Sequence, residues 1–234
     1  MSSPATRPGL RLLALPLSML LLLGASSDAL AKGKKKGKKK GKKKSSAKVE
    51  LTGIPSVDKV FKQLKQLDGT VNSALKHRTK THKNINTALG LKNATLPQAL
   101  NHIKSEAKGK VRISMQGRTP HLEATDALPP DILAGIEAIN SGMKHYGKAL
   151  QEVAKIPKQS KALAQKIKAA PKDIKSEFLS NPTLAFKVPK GLKITKTNLG
   201  IAKALPGRSK KVVKGINTDT KLIVTTFGGK WPPI

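Results

Sequence analysis

The sequence predicts a mainly α-helical protein, an irregular bundle of about four to six helices with a small β-hairpin at 111–124. Two patterns support this fold class. In several long segments apolar residues recur at spacings of three and four, which is typical of helices that bury one face. One short stretch instead alternates apolar and polar residues, as strands do. With six aromatic residues and no cysteine in 234 residues, the core must be aliphatic and cannot be stapled by disulfides.

The first 31 residues have the three parts of a secretory signal peptide. Arg7 and Arg11 precede an uncharged run of 14 residues at 12–25, and Ala29 and Ala31 are small residues at the recognition positions. Because a membrane-spanning helix needs about 20 residues, a signal cleaved after Ala31 is favoured. It predicts a secreted or periplasmic protein. The alternative is an uncleaved anchor, for which the positive charge behind the apolar run would keep the body in the cytoplasm.

Residues 32–48 form a second segment, in which GKKK occurs three times from Gly33. It holds 11 lysines and no acid, so mutual repulsion predicts a disordered, extended arm. The remainder, 49–234, is predicted to be a single basic helical domain. It carries 33 Lys and Arg against 12 Asp and Glu, a net charge of +21, so the body is basic in its own right.

The first predicted helix begins near Ser56, a capping residue, with Asp58 in its first turn. Its apolar face is regular: Val57, Val60, Leu64, Leu67, Val71, Ala74. Arg78 and Thr81 then occupy positions where this spacing requires apolar residues. We expect the helix to break there or to extend beyond the core. The same stretch, KHRTKTHK at 76–83, is the densest basic cluster of the body.

The middle of the chain contains a second helix, a hairpin and a third helix. Thr95 and Gln98 form a capping box ahead of a short helix that ends at Gly109. Apolar and polar residues alternate at 111–116 and again at 122–124, which predicts the hairpin. The third helix starts at Pro129-Pro130-Asp131. Glycines 135 and 142 beside its apolar face predict close approach by a neighbouring backbone.

A fourth helix follows Pro157, with a kink or restart at Pro171, and ends at Asn181-Pro182. The last segment, 183–234, has 11 bases against the single acid Asp219. Its apolar residues predict one or two further helices, although 222–226 fits a strand equally well.

Catalytic, metal and cofactor sites are not supported by the pattern. The five histidines are spread without cysteines, and His77 and His82 are five residues apart rather than three or four. The chain contains no GxSxG, HExxH, GxxxxGK[ST] or GxGxxG motif. The acidic residues Glu106, Glu123, Asp126 and Asp131 gather loosely around the hairpin, but a helix start explains Asp131 and an exposed strand face explains Glu123. We therefore predict a protein that is not an enzyme, with no cofactor and no small-molecule substrate.

The charge predicts electrostatic binding to an anionic polymer or surface: nucleic acid backbone, acidic polysaccharide or anionic lipid. Lysine outnumbers arginine by 40 to 6, whereas arginine is the usual reader of base edges, so binding to nucleic acid would not depend on sequence. The candidate anion-binding residues are Lys34, Lys35, Lys36, Lys38, Lys39, Lys40, Lys42, Lys43, Lys44, Lys76, Arg78, Lys80 and Lys83. The alternative hypothesis is a structural or assembly protein that pairs with itself or with another helical chain. The pairing would use its helical seams, the regular apolar rows of its first and third helices.

Overall fold

The structure, a computed structural model, describes residues 48–117 and 119–231. The predicted signal peptide and all but the last residue of the lysine arm lie outside these ranges. The elements, in chain order, are α1 (Pro55–Ala88), α2 (Leu96–Ala107), β1 (Val111–Gln116), β2 (Thr119–Ala124), α3 (Pro130–Ala154), α4 (Ile156–Ser180), a short 3-10 helix (Pro182–Lys187) and α5 (Val188–Thr226). The predicted fold class, mainly helical with a small hairpin, is confirmed.

Helix α1 differs from the prediction at its start and in its middle. It begins at Pro55, and Asp58 reaches back to accept hydrogen bonds from the Thr52 and Gly53 amides at 2.7 and 2.9 Å. Ser56 does not cap it, because its hydroxyl donates instead to Glu177 of α4. Both alternatives expected at Arg78 and Thr81 are wrong: α1 runs unbroken for 34 residues, and its end stays in the core, where Thr81 and Ile85 are buried. Arg78 meets polar partners inside the bundle, described below, and Thr81 is buried against Gly142 of α3.

The capping box and the hairpin are confirmed. The Gln98 side-chain oxygen accepts from both the amide and the hydroxyl of Thr95, each at 2.8 Å. Strands β1 and β2 pair antiparallel, with Ile113 opposite Leu122. Asn140 of α3 holds this hairpin, since its amide group makes hydrogen bonds of 2.8 and 2.9 Å to both backbone polar groups of Leu122.

Helices α1 and α3 run antiparallel, and glycines of α3 let them approach closely. A Cβ atom at Gly135 would lie 2.5 Å from Leu89 Cδ2, and one at Gly142 would overlap the Thr81 methyl group. The glycines do permit close approach, but the predicted neighbouring backbone is wrong: the groups that approach are side chains, Thr81 of α1 and Leu89 directly after it.

Helices α4 and α5 form the C-terminal half of the bundle. Helix α4 continues through Pro171, and α5 is a single helix of 39 residues that includes Pro206. The strand alternative for 222–226 is wrong. One buried face of the helix contains Ile216, Asp219, Thr220 and Ile223. Helical packing therefore overrides the local strand preference of the β-branched residues.

The core is aliphatic, as expected from the composition. Among its fully buried side chains Phe61 and Tyr146 are the aromatic ones, and the rest are mostly Ile, Leu, Val and Ala from all five helices. Over the ranges 48–117 and 119–231, none of the helices is both long enough and apolar enough to cross a lipid bilayer.

Candidate functional site

A buried carboxylate, Asp219, joins three helices. Its side chain is 6% exposed and sits on α5. Arg78 of α1 donates to it through Nε at 2.7 Å and Nη2 at 2.9 Å. His82, one turn further along α1, places Nε2 at 2.8 Å, and the Tyr146 hydroxyl of α3 donates at 3.1 Å. Asp219 therefore holds α1, α3 and α5 together through charge-assisted hydrogen bonds.

The ionisation of this cluster follows from its partners. Burial alone would raise the pKa of Asp219, but the hydrogen bonds from Arg78 and His82 and their positive charge bring the pKa down to about 2. Burial raises the pKa of Tyr146 well above its usual value, and the charge of Asp219 raises it further. Asp219 is thus ionised and Tyr146 neutral near pH 7. A carboxylate with so low a pKa is a poor general base, so the arrangement favours a structural role over catalysis.

Arg78 was predicted from the sequence to be an anion-binding residue, and its partner was not predicted. The structure places its guanidinium against Asp219, with 36% of the side chain exposed. Two features of the sequence pointed to this pair. Arg78 stands at a core position of α1, where a charge needs a partner, and Asp219 is the lone acid of the last 52 residues.

A second ion pair repeats the link between α1 and α5. Arg208 of α5 donates through Nη1 to Asp68 of α1 and through Nη2 to the Asn72 side-chain oxygen at 2.8 Å. Asp68 and Arg78 are ten residues apart on α1, and Arg208 and Asp219 are eleven apart on α5. The two helices therefore run parallel here. In the pair of Asp68 with Arg208 the acid is provided by α1, and in the pair of Arg78 with Asp219 it is provided by α5.

The structure also brings together two histidines that the sequence left apart. The His77 ring of α1 stacks on the His145 ring of α3, with centroids 5.2 Å apart and planes 13° from parallel. Within the described parts of the chain, no three His, Asp or Glu side chains are placed to hold a metal ion.

Two acidic residues near the hairpin, Glu123 and Asp126, have local partners. Glu123 accepts from Arg112 at 3.0 Å and from Ser114 at 2.6 Å, and hydrogen bonds from Ser114 and Arg112 lower its pKa. Asp126 pairs with Lys110 at 2.8 Å, which lowers the pKa of Asp126. Neither carboxyl group has the raised pKa expected of a general acid near neutral pH.

Charge is distributed unevenly over the body. Residues 96–154 carry seven bases and six acids, whereas residues 155–231 carry 18 bases and three acids, a net charge of +15. Every lysine of α4 and α5 is exposed. These residues, the α4–α5 lysine surface, are Lys158, Lys161, Lys166, Lys168, Lys172, Lys175, Lys190, Lys193, Lys196, Lys203, Lys210, Lys211, Lys214 and Lys221.

Many of these lysines align along their helices. Spacings of seven, four and three place Lys161, Lys168, Lys172 and Lys175 on the outer side of α4. On α5 the same rule aligns Lys196, Lys203, Lys210, Lys214 and Lys221. At 1.5 Å per residue, the α5 row is about 38 Å long. A row of this length can follow an extended anion.

Apart from Arg78, which pairs with Asp219, the predicted anion-binding residues divide into two sets. Lys76, Lys80 and Lys83 are exposed on α1. The nine lysines at 34–44 lie outside the described residues. The basic character of the C-terminal segment is visible in the sequence, whereas the α4–α5 lysine surface is not, because only the folded helices show that all of its lysines face solvent.

Comparisons with family models, with curated proteins and with solved structures find no match to this chain. The chemistry of the described surface is therefore the basis for assigning a function.

Proposed function

We propose that this chain is an exported, non-enzymatic basic helical protein that binds anionic polymers or surfaces through its lysine arm and the lysine-rich faces of its helices. The observation that carries the proposal is the α4–α5 lysine surface. Of the three acids in residues 155–231, Asp219 is buried against Arg78, Glu177 is half-buried and accepts a hydrogen bond from Ser56, and Asp173 is exposed. The exposed lysines of this surface thus have almost no opposing charge.

The binding is electrostatic. An anionic polymer that meets this surface releases its condensed counterions, so affinity falls steeply as salt concentration rises. Lysine carries a compact, hydrated charge without the planar fork of arginine, so it contacts phosphate, sulfate or carboxylate groups without selecting among bases.

Retention on immobilised heparin, on DNA and on anionic vesicles across a salt series tests the proposal. We expect retention on all three, weakening steeply with salt. Deletion of 32–48 should reduce the salt dependence, because it removes 11 positive charges. Failure of the full chain to bind any of the three at low salt would refute the proposal, and an unchanged salt dependence after the deletion would exclude the arm.

Export rests on the leader at 1–31. N-terminal sequencing of the purified protein should give a start at Lys32, directly after Ala31. A start at Met1 would refute export and would favour the anchored alternative, in which the body stays in the cytoplasm.

The alternative, assembly through apolar helical seams, has less support from the folded structure than from the sequence. The seams of α1 and α3 pack against each other within the chain: Phe61, Ile85, Ile139 and Val153 are each 0% exposed. The residues that suggested pairing are therefore covered. Light scattering at high salt tests this alternative, since a stable oligomer there would favour assembly.

A further inference from the structure

Two large apolar side chains project into solvent at the turn between α4 and α5. Leu179 is 79% exposed and Phe186 is 75% exposed, whereas the next most exposed large apolar residues, Leu75 and Met115, are each 42% exposed. Leu179 lies in the last turn of α4, and Phe186 lies in the 3-10 helix that leads into α5. We call this segment, 179–186, the apolar tip.

The exposure of Leu179 follows from the helix register. The buried face of α4 includes Leu163, Ile167 and Ile174. Leu179 follows Lys175 by four residues and Lys172 by seven, so it continues the outer lysine row of α4. An apolar residue at the end of a solvent-facing row is not needed by the core.

Lysines flank the apolar tip along the chain. The Nζ atom of Lys187 lies 5.6 Å from the centre of the Phe186 ring, a cation–π contact. Exposed lysines stand on both sides of the turn, Lys172 and Lys175 on α4, Lys190 and Lys193 on α5. The acids of this region are fewer: Asp173 is exposed, and Glu177 is bonded to Ser56.

We propose that the apolar tip binds an anionic lipid bilayer, with Leu179 and Phe186 inserted among the acyl chains and the flanking lysines on lipid phosphates. Lysine stems lie along apolar surface while their ammonium groups stay in the polar layer, which suits a bilayer interface. Each lysine near an anionic membrane raises the affinity roughly fivefold. The inference deepens the proposed function and rests on it, because it selects a membrane among the anionic partners.

The apolar pair is what selects the bilayer. A polysaccharide or nucleic acid backbone presents anions but no apolar phase for an aliphatic side chain such as Leu179. A bilayer presents both at the spacing of a headgroup, a few ångströms apart. The combination of two exposed apolar side chains with flanking lysines therefore favours lipid over polymer.

The experiment compares two double variants of the full chain on two anionic partners. The test variant is Leu179→Ser with Phe186→Ser. The control is Leu75→Ser with Leu133→Ser, which also removes two exposed large apolar side chains but lies away from the tip. Partitioning is measured on vesicles of phosphatidylcholine and phosphatidylglycerol in equal parts, and elution salt is measured on immobilised heparin.

The test variant should lose about tenfold or more in vesicle partitioning, since burying one such side chain is worth roughly that factor. Its elution from heparin should not change. The control should keep both properties. Equal vesicle partitioning of the test variant and the full chain would overturn the inference, as would an equal loss of heparin and vesicle binding. Binding of the full chain to heparin but not to vesicles would overturn it while leaving the proposed function intact, whereas binding to neither of these nor to DNA would refute the proposed function.

A fluorescence measurement tests insertion directly. Trp231 is the single tryptophan of the chain, so Phe186→Trp with Trp231→Phe places the one tryptophan at the tip. Its emission should shift to shorter wavelength on addition of the same vesicles and should stay unchanged on addition of heparin. Absence of the shift at saturating lipid would overturn insertion.

Discussion

Arg78 and Asp219 form a bidentate ion pair across 141 residues of sequence, with hydrogen bonds of 2.7 and 2.9 Å that join the middle of α1 to the C-terminal part of α5. The carboxylate also accepts from His82 and Tyr146, so a single side chain connects three helices. The pair explains how a helix with a charged residue at a core position continues unbroken.

Replacing Asp219 by alanine should lower the free energy of unfolding by about 2–3 kcal/mol. The change leaves Arg78 without its counter-ion and Tyr146 without its acceptor, and the partial exposure of Arg78 keeps the loss below that of a fully buried pair. Urea unfolding at neutral pH measures it. Asp173→Ala, at an exposed position of α4, is the matched control and should change stability by less than about 0.5 kcal/mol. Equal losses in the two variants would contradict a stabilising role for the cluster.

Because the pKa of Asp219 is lowered in the folded state, the free energy of unfolding should depend on pH. This pKa falls from 3.8 to about 2 on folding, so the folded state favours the ionised form. The resulting stability is present above about pH 4 and is lost as the pH falls through the folded value. Between pH 5 and pH 2 the wild-type chain should lose about 2 kcal/mol more than Asp219→Asn, whose side chain does not titrate. Urea unfolding at the two pH values gives both losses, and parallel pH profiles would show that Asp219 is not the titrating group.

Adding a methyl group at Gly142 should destabilise the protein by about 1–3 kcal/mol. The new Cβ would overlap the Thr81 methyl group and force α1 and α3 apart. Gly200→Ala on α5 is the control, because a Cβ there meets no atom within 4 Å and alanine favours the helix by up to about 1 kcal/mol. Thermal unfolding of both variants should therefore give shifts of opposite sign. A higher melting temperature for Gly142→Ala would mean that the helices are less closely packed than the structure shows.

Neutralising the outer lysine row of α4 should weaken anion binding more than an equal change of charge elsewhere. The test variant replaces Lys161, Lys168, Lys172 and Lys175 by glutamine. The control replaces four exposed lysines of α2 and α3 and their flanks by glutamine: Lys104, Lys108, Lys144, Lys148.

If all four α4 lysines contact phosphates of duplex DNA, the slope of log affinity against log salt should fall by about 3–4 in the test variant. The slope should change little in the control, because residues 96–154, which contain its four lysines, carry six acids against seven bases. Fluorescence titrations with a short duplex over a salt series measure both slopes. Equal changes would indicate that net charge alone governs binding and that the α4–α5 lysine surface is not the contact region.

The helices that repeat a simple pattern were predictable, and the polar cluster was not. The Thr95 capping box, the alternation at 111–116 and the start of α3 at Pro130 are local features that folding retains. The strand alternative at 222–226 was wrong because local propensity does not include the buried face that α5 presents to its neighbours. The interruption expected at Arg78 was wrong because its partner lies 141 residues away.

By itself, the sequence determined the helical class, the aliphatic core and the basic character of the body, since these depend on composition and on the short-range period of apolar residues. The tertiary structure decided which charges are used internally and which face solvent. It paired Arg78 with Asp219 and Arg208 with Asp68, left the lysines of α4 and α5 exposed, and placed Leu179 and Phe186 at one turn. The reason is physical: a buried charge needs an opposite charge close to it in space. The separation of two residues along the chain does not show whether folding will bring them together.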